Sequence, residues 1–384
     1  MSEYQYYEFQ ACDRPLTPEQ ISVLRAYSSR AQITASSFIV DYSYGNFKGN
    51  PEKWLEQYFD AFLYLANWGT HQFMLGLPQK LIDQETIGPY CAGESLSCRS
   101  KGDKVILTFQ SEDEEGEWAE GEGWLASLLP IRADLISGDY RALYLGGLGA
   151  IESGEIDDDE LEPPVPGGLK TLNASLDRLA DFLRISRDLI AAAAEASPGE
   201  RASGVSQEEF GKWVLSLPNQ EKDMLLLRLV EGGDPHLMAE LRERAKRELR
   251  GGVEPAKGLR RTAGQIRERA EILAEEQRKI EAEKQARDQA RRRQEEIEKR
   301  QKHLKALSNK EEILWVKVEE LIATKQMKRY DEAVSLLQDL RDLADLRGRN
   351  SDFSSHLNTL LTQHLRKGTL VDKVRRAKLL PQET

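Results

Sequence analysis

The sequence predicts an α+β N-terminal domain followed by a mostly α-helical chain, and three observations predict it. Short aromatic and β-branched runs are confined to the first part, where they alternate with capped helices. Beyond a Pro/Gly boundary at 163–168, apolar residues recur at helical spacing. From Leu259 to Leu307 almost every residue is a strong helix former, with Gly264 the one glycine and no proline.

The opening run Tyr4 to Phe9 has the composition of a strand. Thr17-Pro18-Glu19-Gln20 joins an N-cap, a proline at the first helical position and a capping-box glutamine, so a helix runs to about Tyr27. Gln32 to Tyr44 reads as a strand or hairpin. Asn50-Pro51 repeats the cap-then-proline signal. The stripe of Leu55, Tyr58, Phe59, Phe62, Leu65 and Ala66 then predicts a packed helix ending at Gly69. His71 to Leu77 is a predicted strand, and Glu94–Arg99 with Lys104–Gln110 a hairpin around Lys101-Gly102-Asp103. A ferredoxin-like sandwich is one arrangement of that order. Trp124 to Ile151 is apolar and helical, broken near Ser137-Gly138-Asp139.

Pro163-Pro164-Val165-Pro166-Gly167-Gly168 marks a linker. Leu169 to Ala196 predicts one helix, stopped by Pro198-Gly199. Short helices follow near 207–216, 220–231 and 235–250. Between 275 and 302, acid-to-base pairs recur at i,i+4: Glu275–Lys279, Glu283–Arg287, Asp288–Arg292, Glu295–Lys299, Glu296–Arg300 and Glu298–Lys302. Each is worth about 0.2–0.5 kcal/mol, so together they favour one continuous helix. The seven-residue step Ile266, Leu273, Ile280 lands next on Arg287 and Gln294, so the seam of a coiled coil fails there. A solvated helix or weak coiled coil follows. Ile313 to Ile322 and Tyr330 to Arg347 predict two further helices, and Phe353 to Leu365 a third. The expected division is therefore 1–162 (acidic α+β domain), 163–168 (linker), 169–255 (helical bundle), 256–308 (long charged helix) and 309–384 (C-terminal helical region).

Charge follows that division. The net charge is −17 over 1–162, −2 over 163–255, +6 over 256–308 and +2 over 309–384, together −11. Two acidic runs, 112–122 and 152–162, read as a solvated loop and an acidic linker. Apolar residues make up 40% of the chain, which excludes a wholly disordered protein. No run approaches about 18 apolar residues, the N-terminus lacks signal-peptide character, and three cysteines cannot frame a disulfide scaffold. A cytoplasmic protein with no membrane contact is expected.

Tyr6-Tyr7-Glu8-Phe9-Gln10-Ala11 with Asp13-Arg14-Pro15-Leu16, then Arg132-Ala133-Asp134-Leu135 and Gly138-Asp139-Tyr140-Arg141-Ala142-Leu143-Tyr144-Leu145-Gly146, resemble stretches of a family of uncharacterised bacterial proteins. Members tend to carry Trp where this chain has Gly147. The resemblance implies a bacterial, cytoplasmic chain and transfers no catalytic residue, because that family has no established activity. Residues 313–347 resemble one helix–turn–helix unit of the tetratricopeptide type. The ending, with Arg366-Lys367 and Arg376-Ala377-Lys378-Leu379, resembles tails of bacterial proteins with SWIM-type zinc fingers; with no such finger here, it implies only a docking tail.

The catalytic motifs are missing: no Walker A loop, G-x-G-x-x-G, H-E-x-x-H or G-x-S-x-G occurs. Cys91-x6-Cys98 is too widely spaced for a zinc knuckle, and a Cys98/His71 nucleophile pair has no supporting motif. Gly146-Gly147-x-Gly149 sits in an apolar helical context, wrong for a phosphate cradle. No catalytic, metal or cofactor residue is assigned. Arg287, Arg291, Arg292 and Arg293 could contact phosphate, but acids interleave and no aromatic residue stands beside them. The expected function is a non-catalytic interaction protein with a protein partner, or a homo-oligomer through the long helix. The alternatives are a nucleic-acid-associated accessory protein and an enzyme with its site in the α+β head.

Overall fold

The computed structural model of the chain describes residues 3–82, 84–91, 93–113, 120–199, 205–232, 234–250, 260–324, 326–364 and 367–379. Two units result, 1–277 and 278–384.

The first unit is organised by seven strands: β1 (Gln5–Gln10), β2 (Gln32–Ile33), β3 (Ser37–Tyr42), β4 (Ala61–Ala66), β5 (His71–Pro78), β6 (Leu96–Lys101) and β7 (Lys104–Ser111). They form one sheet in the order β2-β3-β1-β4-β5-β7-β6, every pair antiparallel. Its helices, in chain order, are α1 (Pro18–Arg25), α2 (Pro51–Gln57), α3 (Gln84–Ile87), α4 (Trp124–Leu128), α5 (Pro130–Ile136), α6 (Arg141–Glu152), α7 (Ala174–Phe182), α8 (Arg187–Glu195), α9 (Gln207–Ser216), α10 (Asn219–Val230), α11 (Leu237–Arg250) and the start of α12 (Ala263–Leu307).

Period-two alternation sends side chains to two cores. On one face Phe9, Phe38, Phe62 and Met74 pack with Leu24 of α1 and Trp54 and Leu55 of α2. On the other, Leu63, Phe73, Leu75, Leu107 and Phe109 pack with α4 to α8 and with Ala263 and Ile266 of α12. Helices thus lie on both faces of a seven-stranded sheet, unlike the four-stranded ferredoxin-like sandwich.

The α+β class holds, and two elements differ from expectation. The helix begun at Asn50 stops at Gln57, and Ala61–Ala66 is a central strand. Phe62 faces one core while Ala61, Leu63 and Leu65 face the other. A strand buried on both faces loses its alternation and reads as a continuous apolar run. The single helix expected over 169–196 is two, α7 and α8. They are divided at Arg184, whose φ of +56° is the left-handed conformation that a non-glycine residue rarely adopts.

The glycines of α6 explain their own motif. All of Ala142 to Ile151 is buried. A Cβ at Gly146 would lie 2.7 Å from the Leu96 side chain on β6, and one at Gly147 would lie 2.6 Å from Pro163. Gly146-Gly147-x-Gly149 is thus a close-packing surface. Gly146→Val is expected to destabilise the first unit by about 1–3 kcal/mol in urea unfolding through overpacking. Gly149→Ala, whose Cβ would meet Ser95 at 3.5 Å, is expected to change it by less than about 1 kcal/mol.

The second unit packs α13 (Glu311–Ala323), α14 (Met327–Arg347), α15 (Asn350–Gln363) and α16 (Gly368–Arg376) around Val318, Ile322, Leu337, Leu340, Leu357 and Leu370. No helix among the described residues is long and apolar enough to cross a membrane.

Candidate functional site

The root of the long helix is held in the first unit by a dense set of hydrogen bonds. Thr262 and Gln265 form a capping box, each side chain bonded to the other's backbone amide at 3.3 and 3.0 Å. Leu161 pairs with Thr262 in an isolated antiparallel bridge. Glu162 is 1% exposed. It accepts from the Tyr144 hydroxyl at 2.6 Å, from Arg261 Nε at 2.9 Å and Nη2 at 3.0 Å, and from the Arg261 amide at 3.0 Å. Arg261 also donates to the carbonyls of Ala192 and Ala193 at the end of α8, and Arg260 to that of Glu162. Burial pushes the Glu162 carboxyl up, but the Arg261 and Tyr144 hydrogen bonds outweigh it and hold it below the ordinary carboxylate range.

The acidic run 152–162 is therefore not simply a solvated linker. Glu152 accepts from the amide and hydroxyl of Ser186, the N-cap of α8. Glu155 accepts from the Glu94 and Ser95 amides and the Ser95 and Ser153 hydroxyls. Asp158 pairs with Arg267 of α12. Of the other run, residues 114–119 lie outside the described residues.

Residues 275–299 are exposed except for the half-buried Asp288. Arg287, Arg291, Arg292 and Arg293 all lie in that stretch, and Arg291 pairs with Asp288 at 3.4 Å and Glu295 at 3.9 Å. Arg300, expected opposite Glu296, instead donates to Asp339 at 2.5 Å and Asp342 at 2.6 Å of α14, where His303 also reaches Asp339 at 3.1 Å. An acid pair on a packed helix, Asp339 buried and Asp342 half-buried, outcompetes a solvated neighbour on its own helix.

A second network joins two of the sequence stretches that carry the family resemblance. Arg132 donates to both carboxylate oxygens of Asp13, at 2.8 and 2.6 Å, and from Nε to the Gly76 carbonyl at 3.1 Å. His236, just before α11, lies 2.8 Å from Asp13 Oδ2. Asp60 accepts from the amides of Cys12 and Asp13 and from Lys104 Nζ, at 2.7, 3.0 and 2.9 Å. Burial pushes its carboxyl up, and Lys104 leads the contacts that pull it below the usual value.

The residues weighed for catalysis are not brought together. Cys98 stands opposite Leu107 and that residue opposite Leu75, four positions along β5 from His71. That separates them by about 13 Å along the strands alone. His71 Nδ1 donates to the Phe182 carbonyl at 3.0 Å and Nε2 accepts from Arg184 at 3.2 Å. Burial lowers its pKa to about 4, so the ring is neutral with both nitrogens engaged. Burial raises the Cys91 thiol and raises Cys12 to about 11, the reverse of nucleophile activation. Among the described residues no group of His, Cys, Asp and Glu is placed to hold a metal ion. His356 stacks on Trp315 with ring centroids 4.7 Å apart.

The helices α9 to α11 form a small subdomain around Trp213, Leu217 and Ala245. Its middle helix, α10, contributes no fully buried residue.

No family model, curated protein or solved structure matches this chain.

Sequence reasoning passed over Glu162 and Arg261 because each sits in a run of like charge. The Thr-x-x-Gln spacing at 262–265 was the available signal. Nothing in the sequence pairs Asp13 with Arg132, 119 residues away.

Proposed function

We propose that this chain is a non-catalytic interaction protein in which a long charged helix spaces or pairs docking modules. The observation that supports this reading is the contrast along α12. Its first turns carry Ala263 and Ile266 in the core of the first unit, and Leu304 is buried in the second, yet residues 275–299 face solvent. A helix that is polar all round between two buried ends either bridges through water or meets a partner. The partner of this reading is a protein, with homo-oligomerisation through the helix as its second form.

The test is affinity capture of the full chain from the cells that make it, with and without nuclease. The reading expects a protein partner that resists nuclease, tolerates salt and is retained when Arg287, Arg291, Arg292 and Arg293 are all changed to Gln. A complex that nuclease removes, that weakens steeply with salt and that the same variant loses would assign the helix to nucleic acid instead.

A further inference from the structure

We infer that the outward face of α10 docks a cationic amphipathic helix of another protein. The inference rests on the interaction-protein reading and names the partner's chemistry. Met224, Leu226, Leu227, Leu229 and Val230 are each more than half exposed, and Leu215 at the end of α9 adds to them. Scattered exposed leucines are ordinary; six large apolar side chains on one small subdomain form a patch that marks a contact surface. Leu226, Leu229 and Val230 stand at the i, i+3 and i+4 spacing by which one helix engages another.

Charge selects the occupant. Both cations of α10 are already engaged: Lys222 donates to the Leu215 carbonyl at 2.7 Å, and Arg228 pairs with Asp234 at 2.7 Å and Glu240 at 2.9 Å. The charges left on the outward stripe are acids. Asp223 precedes Leu227 by four residues and Glu231 follows it by four, and no described cation pairs with either. Residues 1–277 hold 47 acids and 29 bases, a net of −18. Two α10 faces packed on each other would set acid against acid, and a phosphate backbone or anionic membrane would be repelled. A helix with a leucine stripe flanked by lysines satisfies both the apolar face and its acidic rim.

Two synthetic 18-residue helices serve as probes, one with a leucine stripe and lysine flanks, the other with every lysine changed to glutamate. Fluorescence anisotropy with the full chain should show the lysine helix binding at least ten-fold more tightly. Leu227→Asp with Val230→Asp should weaken it ten-fold or more. These side chains lie outside the core, and circular dichroism confirms that the variant is folded. Asp223→Lys with Glu231→Lys should turn the preference toward the glutamate helix. Asp157→Lys with Asp159→Lys, in the exposed acidic bend, should leave it unchanged. Equal loss in that control would mean general attraction to an acidic protein and would overturn the proposal. So would affinity indifferent to the α10 changes, or a dimer of the unmodified chain that Leu227→Asp with Val230→Asp dissolves. If these fail while the affinity capture succeeds, only the α10 assignment falls.

Discussion

Glu162→Gln is expected to destabilise the first unit by about 3–5 kcal/mol, read as a lowered urea midpoint. The substitution keeps the side chain's shape and removes its charge. Arg261 is then left partly buried without its anion, and removing one partner of a buried pair costs in that range because the surviving charge is uncompensated. The same change should raise hydrogen exchange in the first turns of α12, whose cap and bridge hang on this carboxylate. Glu162→Leu combined with Arg261→Met should recover much of the loss, since both buried charges go together. The pH dependence has a definite sign. The folded carboxyl sits below its ordinary 4.5, so on acidification the unfolded chain takes up the proton first. The stabilisation is complete above about 4.5 and is lost as pH falls through the lower folded value. The gap between the wild-type protein and Glu162→Gln should therefore narrow in acid. A gap that is constant with pH would show that the charge is not what holds the root.

Arg132→Ala is expected to cost a similar 3–5 kcal/mol. Its side chain is 8% exposed, and it faces Asp13 directly with Asp60 at 3.9 Å. Without it, Asp13 keeps His236 among the described residues, and Asp60 keeps Lys104. Arg132→Lys should not restore stability, because one ammonium cannot make both bonds to Asp13 and the bond to the Gly76 carbonyl. Arg187→Ala supplies the contrast. Its pairs with Asp177 and Asp181 are about half exposed, so a loss under about 1 kcal/mol is expected. Equal losses at the two arginines would refute the ranking.

Much of the architecture is legible in the chain because it rests on local chemistry. The Thr17 and Asn50 caps, the Gly102 hairpin and the run of helix formers in α12 each act over a few residues. The misreadings have one cause. Ala61–Ala66 is apolar on both sides because two cores meet at it, and no window of sequence contains the second core. The break at Arg184 likewise has no local breaker. Its guanidinium is held by Ser111, Gly69 and His71, from elements more than 70 residues away.

The exposed arginines of α12 were legible as a solvated face, and the leucines of α10 were not. Leu225 and Leu229 look like core residues by spacing. Leu225 is half-buried, but Leu229 is exposed because α9 and α11 together cover only one side of a short helix. By itself the sequence determined the α+β class, the helical remainder, the long charged helix and the acidic-to-basic asymmetry, all properties of composition and short-range periodicity. Only the tertiary structure decided that Glu162 is buried, that Arg132 meets Asp13, and that the apolar face of α10 is left open. Burial and pairing depend on which distant elements arrive at the same place, and that is settled by packing.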